Sequence, residues 1–287
     1  MDIDTLLQAL AQGVLIGGTY GIVALGLGLI YSVSGVVNFA HGDVLALAMF
    51  LCFGLYGAYA LDPYVSGLLL FPVMAGGGAL LYKTLIKPII GSQLLMIIQL
   101  TLGLTFLLQN GILMRFGGQP VRAPSFLDTQ LLEVGPVIVR WPLLIAFLCS
   151  LLLAALLFVM LRSTDFGRSI RAVHQNPKAA ALMGVNVERV RMLVFALGFG
   201  LLAIAGALLI PGTPLQPTMG LRYTVVTLLV LVLGGMSNFA GIILGGLVIG
   251  ISEAIGTIYV SGVTGMILPY AIFVGIMLFR PAGLLGK

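Results

Sequence analysis

Side chains able to do chemistry are scarce in this chain and cluster in a few places. Residues 34–43 read S-G-V-V-N-F-A-H-G-D and set His41 two positions before Asp43. An imidazole beside a carboxylate is a starting point for general acid–base catalysis. No nucleophile or metal-ligand set accompanies the pair, so a hydrogen-bonding anchor is the plainer reading. The tripeptide Asn38-Phe39-Ala40 returns as Asn238-Phe239-Ala240, and Glu253 is the one acid set well inside an apolar run. Cys52 and Cys149 lie in apolar surroundings without metal-ligand spacing, as ordinary small apolar residues do.

The elements that must position these groups follow from the solvent. Of 287 residues, 60% are hydrophobic and 8% charged, and the mean hydropathy is +1.17. Soluble globular chains carry about 25% charged residues, so this composition cannot cover a water-facing surface. Apolar runs of ~20 residues indicate membrane-spanning helices, and the alternating strands of a transmembrane barrel are absent. The 39 glycines suit close helix packing in lipid. The acidic start, M-D-I-D-T, lacks the basic region of a cleavable signal peptide.

Apolar runs bounded by polar breaks predict helices at 6–33, 44–61, 64–82, 93–114, 142–161, 190–211, 223–236, 239–260 and 264–279. The run 223–236 is short enough to cross incompletely. The expected fold is therefore an all-α polytopic membrane protein, a single transmembrane domain over 1–287 with eight or nine segments, some of them broken. Residues 162–191 carry Arg162, Arg168, Arg171, Lys178, Arg189 and Arg191 against Asp165 and Glu188. The positive-inside rule places that loop in the cytoplasm. Lys83, Lys87, Arg280 and Lys287 then fall on the same side, which leaves Arg115, Arg122, Arg140 and Arg222 elsewhere. An external N-terminus and a cytoplasmic C-terminus follow. The basic pI near 9.4 thus has a topological cause and implies no nucleic-acid partner. Residues 115–141 form a long external loop whose prolines and glycines forbid a continuous helix, as a solvated connector or a docking surface.

The 162–191 loop has its own punctuation. Ser163, Thr164 or Asp165 can cap a helix whose one side carries Ile170 and Val173. Asn176 is a favoured N-cap, Pro177 suits the first helical position, and Gly184 suits the residue after the last turn. These bound a two-turn helix over Lys178–Met183, and Asn186 caps the membrane helix that follows. So short a helix needs a partner surface. Ala179, Ala180, Ala181, Leu182 and Met183 would offer a smooth apolar knob to another protein, or the loop would lie back on its own bundle. No G-x-x-x-x-G-K-[ST] phosphate loop occurs, so any ATP would be used by another subunit.

The motif K-A-A-x-x-x-G at 178–184 is similar to the E-A-A-x-x-x-G loop of ABC importer permeases, with Lys178 in place of the Glu. G-R-S-I-R-A-V-H-Q-N-P-K-A-A-A-L-M-G-V-N-V-E-R-V at 167–190 joins G-V-V-N-F-A-H-G-D at 35–43, V-L-G-G-M-S-N-F-A-G at 232–241 and R-P-A-G-L-L-G at 280–286. Together they resemble the LivH-type permeases of branched-chain amino-acid importers, from about Gly13 to Gly286. The resemblance implies a multi-pass bacterial inner-membrane permease that binds no cofactor itself. Its implied partners are a homologous LivM-type permease, two cytoplasmic ATPase subunits and a periplasmic substrate-binding protein. On that resemblance Gly167, Arg168, Arg171, Asn176, Pro177, Ala179, Ala180 and Gly184 would carry the coupling contact. Relatives in the same family move amides, urea and aromatic acids, so the substrate is not inherited.

Polar groups inside a membrane bundle line a path or join helices. The candidates for a pathway or helix break are Asn38, His41, Gln99, Thr101, Asn238 and Glu253. Tyr20, Tyr31, Ser34, Thr105, Thr224, Thr227 and Ser237 are further polar residues of the spans. Gln109 and Asn110 fall near the outer end, where solvent exposure explains them. Glu253 reads as a hydrogen-bonded helix anchor or a pathway group, with Arg222 too near the outer boundary to be its obvious partner. The two Asn-Phe-Ala sites have matched places in the topology and suggest a degenerate internal repeat. They also resemble the paired N-P-A motifs of water and glycerol channels. Phe39 and Phe239 stand where those have proline, and a self-sufficient channel has no use for a capped helix in an arginine-rich loop.

Overall fold

The structure, a computed structural model, describes residues 3–236, 238–259 and 267–285. Its helices are α1 (Ile3–Ser34), α2 (His41–Tyr59), α3 (Pro63–Leu81), α4 (Leu94–Phe116), α5 (Trp141–Ser163), α6 (Asp165–Gln175), α7 (Pro177–Leu182), α8 (Val187–Leu209), α9 (Met219–Gly234), α10 (Phe239–Tyr259) and α11 (Ile267–Phe279). A wide π-type turn, Tyr82–Ile86, and a tight 3-10 turn, Lys87–Ile89, prolong α3. Among the described residues, seven helices are long and apolar enough to span a membrane, counting α3 with its extension, and α9 and α11 are shorter apolar helices. The chain is a multi-pass membrane protein. Ser237, Lys287 and the first residues of the predicted 264–279 span lie outside the described residues.

The fold departs from all-α in one place. Strands β1 (Leu131–Val134) and β2 (Val137–Arg140) pair antiparallel within the 115–141 loop. Gly135, at φ +60°, takes the first position of the two-residue turn, followed by Pro136. Glycine there and proline next fit the tight turn that matches strand twist. The loop lies back on the bundle rather than standing free. Gln8 of α1 donates to Ile138 O at 2.7 Å and accepts from Ile138 N at 2.8 Å. Asp62, which caps α3 through Tyr64 N at 2.9 Å, also accepts from Ser125 Oγ and Phe126 N.

Helix α1 is the axis of the bundle and is buried on all sides over most of its length. Its closest partner is α10, and glycines make the approach. A Cβ on Gly17 would stand 2.6 Å from Gly246 O, and one on Gly250 would stand 2.4 Å from Gly17 Cα. Gly13 and Gly17 face Gly246 and Gly250, four residues apart on each helix, so the two backbones pack without side chains between them. Without a hydrophobic drive between helices in lipid, such dispersion contact is a main source of association. By contrast α5 exposes Leu148, Leu151, Leu152, Leu156, Phe158 and Val159. That apolar surface suits lipid or another membrane subunit.

Most basic residues gather at one end of the bundle, where α5 to α8 form the 162–191 segment. The β-hairpin marks the opposite end. At the basic end Lys87 pairs with Glu188, tying the extension of α3 to the start of α8.

Candidate translocation pathway and coupling surface

After Ser34 the chain turns through Gly35 (φ +66°) and runs back alongside α1 before α2 begins. Asn38 is buried, and its Oδ1 accepts from Ala40 N at 3.1 Å. His41 opens α2 with its Nε2 3.0 Å from Val23 O. A carbonyl can only accept, so that nitrogen carries the proton. Val23 precedes the end of α1 by eleven residues, about 16 Å along the helix. His41 and Asp43 therefore sit deep in the bundle and fully buried, not at a membrane edge. Composition could not reveal this, because the re-entry is made by the short segment 35–40.

The first turn of α2 meets the first turn of α9 at this depth. Thr224 joins them: its Oγ1 accepts from Gly42 N at 2.9 Å and donates to Phe39 O at 3.0 Å. Gly42 and Gly220 make the contact possible. A Cβ on Gly42 would lie 2.1 Å from Gly220 O, and one on Gly220 would lie 2.2 Å from Asp43 Oδ1. The Asp43 carboxyl is thus wedged between two helix starts. Its Oδ1 also accepts from Gln109 Nε2 at 2.9 Å, which brings in α4. Gln109 is therefore a contact of the junction as well as a residue towards the hairpin end of α4.

Among the described residues, buried Asn38 Nδ2 and His41 Nδ1 at this junction have no hydrogen-bond partner, and Asp43 Oδ2 and Thr105 Oγ1 have none beyond each other. An unpaired buried polar group costs about 1–3 kcal/mol, so a cluster of them marks a place suited to water or a polar solute. A cavity of about 300 Å³ opens above it, lined by Gln109, Asn110, Leu113, Gly118, Gln216, Pro217 and Thr218. It leads from the hairpin end to Gln109 and the start of α9.

A second polar cluster lies on the other side of α9. Glu253 of α10 accepts from Tyr20 OH of α1 at 2.9 Å and from Arg222 Nη2 of α9 at 2.6 Å. The expectation that Arg222 stands too far out to pair is overturned. Helix α9 begins at Met219, four residues earlier than the apolar run, so Arg222 belongs to its first turn inside the bundle. The Glu253 side chain is 13% exposed and that of Arg222 54%. The ion pair and phenol clamp α1, α9 and α10 together and make Glu253 a helix anchor.

The remaining candidates divide. Thr101 is buried but bonds back to Ile97 O and Ile98 O of its own helix. Gln99 is exposed on α4 and joins neither cluster. Asn238 starts α10, its Oδ1 accepting from Gly241 N at 3.1 Å and its Nδ2 donating to Leu285 O at 2.9 Å. Asn238 thus caps α10, whereas Asn38 braces the turn before α2, whose N-cap Ala40 has no side-chain cap bond, and the two segments lie at different depths. Asn38 works midway along α1, whereas Asn238 sits at the basic end beside Arg162 and Arg171. Gln216, Thr218 and Gly220 went unnoticed in the sequence, and only their position at the start of α9 gives them meaning.

The basic segment has the predicted punctuation. Thr164 caps α6 by accepting from Gly167 N at 3.1 Å, and Ile170 and Val173 are buried beneath it. Asn176 Oδ1 accepts from Lys178 N and Ala179 N, both at 3.0 Å, with Pro177 as the first residue of α7. Gly184 takes φ +85° after its last turn, and Asn186 caps α8 through Arg189 N. The structure divides the coupling candidates between tip and support. Ala180 is buried against the bundle, and a Cβ on Gly167 would strike Leu161 O at 2.3 Å. Arg171 donates to Leu161 O and Arg168 pairs with Asp165, so both brace the segment. Ala179 is exposed, but the prominent tip belongs to Leu182 (89% exposed) and Met183 (84%).

Residues 9–277 match the family described as branched-chain amino acid transport system / permease component. The chain is 28% identical to the high-affinity branched-chain amino acid transport system permease protein LivH of Escherichia coli (strain K12), over 98% of this chain and 96% of that one. It is 26% identical to the permease protein BraD of Pseudomonas aeruginosa (100% and 97% covered). It is 29% identical to the probable permease protein LivH of Methanocaldococcus jannaschii (92% and 88%). No solved structure matches it significantly. A bundle without a phosphate loop, carrying a polar junction in its depth and matched over nearly its whole length, belongs to the family of transmembrane permease components of ABC-type branched-chain amino acid transport systems.

Proposed function

We propose that the chain forms one half of the membrane path of an ATP-driven importer in a bacterial inner membrane. It carries a branched-chain amino acid, or a related small polar solute such as an amide or urea, from an external binding protein to the cytoplasm. The observation that carries this reading is α7, a helix capped at both ends that holds two bare apolar side chains, Leu182 and Met183, away from the bundle. Exposed apolar tips of this kind mark docking sites. The occupant is a cytoplasmic ATPase, one of two, and the second half of the path is a homologous LivM-type permease. The vestibule above Gln109 and the unpaired polar atoms below it give the solute a weakly polar route. A zwitterion needs such a route, polar yet without strong fixed charge, because tight binding would slow its release.

The test is uptake into vesicles by the chain purified with its neighbouring gene products. Labelled leucine should accumulate with ATP and not without it. Replacing Leu182 and Met183 by glutamate should abolish ATPase association while the membrane bundle stays folded. Equal uptake in the absence of ATPases would identify a channel instead.

A further inference from the structure

A cavity of about 990 Å³ lies at the basic end and away from the α2–α9 junction. One wall is the last turns of α5 with α6, which supply Arg162 and Arg171. The other is the turn between α9 and α10 together with the tail 280–285. That tail is folded in place: Leu284 N donates to Leu233 O at 2.7 Å, and Asn238 Nδ2 holds Leu285 O. The cavity is thus a built feature of the fold and not a gap beside a loose end.

Its lining has two chemistries. Arg162 and Arg171 present guanidinium groups, and among the described residues no carboxylate side chain lines the cavity. Asn238, Phe239 and Ala240, at the start of the 21-residue helix α10, also face it, and a helix start favours an anion. His174, held at Ser32 O through its Nδ1, adds an imidazole, and the other side chains of the lining are apolar, chiefly Phe158, Phe239 and Leu285. Phe158 is 51% exposed and stands at helical spacing below exposed Ala155 and Leu151, continuing their part of the bare surface of α5. Cationic groups at the ends of spanning helices, joined to an apolar wall that opens sideways along a spanning helix, suit an amphipathic anion at the membrane surface.

We propose that this cavity holds the phosphodiester headgroup of an anionic phospholipid, with its acyl chains along Phe158 and the exposed face of α5. Basic pockets between membrane helices bind anionic headgroups, and each Lys or Arg near the surface contributes on the order of 1 kcal/mol. A soluble anion would use the guanidiniums but leave the apolar wall without a partner. The lipid would bridge the α5–α6 side, which carries the coupling segment, to the α9–α10 turn below the polar junction. This assignment depends on the chain spanning a bilayer and not on which solute it moves.

The experiment uses the permease complex with its co-purified subunits, exchanged into phosphatidylcholine nanodiscs, with retained phosphatidylglycerol counted by native mass spectrometry. The wild type should retain phosphatidylglycerol, and Arg162→Ala should lower its retention about fivefold, the factor equivalent to one charge contact. Arg162 is exposed at the helix end, so this variant should keep the wild-type melting temperature. Arg189→Ala, exposed and outside the cavity, should retain lipid as the wild type does. Millimolar inorganic phosphate should not displace the lipid. Unchanged retention in Arg162→Ala, displacement by phosphate, or a cross-link from position 162 to a partner subunit in place of lipid would each overturn the assignment.

Discussion

At the scale of single residues, some charged and polar groups within the spans act in pairs across helices. Glu253 is the clearest case, since it answers both the phenol of Tyr20 and the guanidinium of Arg222. Removing one member of a buried pair leaves the other desolvated and uncompensated. Glu253→Gln should therefore destabilise the protein by about 1–2 kcal/mol, less than for a fully buried pair because Arg222 remains half-exposed. Thermal melting in detergent checks this, and the double variant Glu253→Gln with Arg222→Met should recover part of the loss. A double variant less stable than either single one would show that the pair is not the source. The sequence marked Glu253 as the one deep acid and offered a helix anchor as one of two readings. It did not expose the partner, because Arg222 sits at the edge of an apolar run whose helix starts earlier than the run. Gln109 was obscured in the same way: its residue type reads as solvated, and only the re-entrant start of α2 brings a carboxylate to it.

At the scale of elements, short helices here depend on their caps. α7 has six residues, too few to persist alone in water. Two donors at its start are satisfied by the single side chain of Asn176. Asn176→Ala should cost about 1 kcal/mol in that helix alone. The melting temperature of the bundle should stay within about 2 °C, since distant sites behave independently. Association with ATPase subunits should weaken, because Leu182 and Met183 would no longer be held in one orientation. Surface plasmon resonance against the purified ATPase measures this, and wild-type affinity would detach the cap from coupling. The punctuation of this segment up to Asn186 was legible in the sequence, apart from the choice of Thr164 over Ser163 or Asp165 as the cap of α6. Caps, proline at the first helical position and glycine after the last turn are local devices that need no tertiary contact to be recognised. The inward turn of Ala180 was not legible, because which face of a two-turn helix meets the bundle depends on how that helix docks.

At the scale of the whole molecule, the distribution of cations sets an expected orientation, with the basic end in the cytoplasm and the β-hairpin outside. Single cysteines test it once Cys52 and Cys149 have been replaced by serine. A membrane-impermeant maleimide should label Phe126→Cys on intact cells and Lys178→Cys only in inside-out vesicles; the reverse pattern would invert the topology. Composition by itself determined that the chain lives in a membrane, since 8% charged residues cannot solvate a surface. Periodic apolar runs determined where most helices lie, and motif strings pointed to the family. Tertiary structure alone decided that α1 is the axis. Every long apolar run looks alike in one dimension, and only the facing glycines of α1 and α10 select the pair that packs backbone to backbone. It also decided that two helices start deep in the bundle, with Asp43 between them. That arrangement depends on Gly42 meeting Gly220 across 178 positions of sequence, a contact between distant residues that no local pattern encodes.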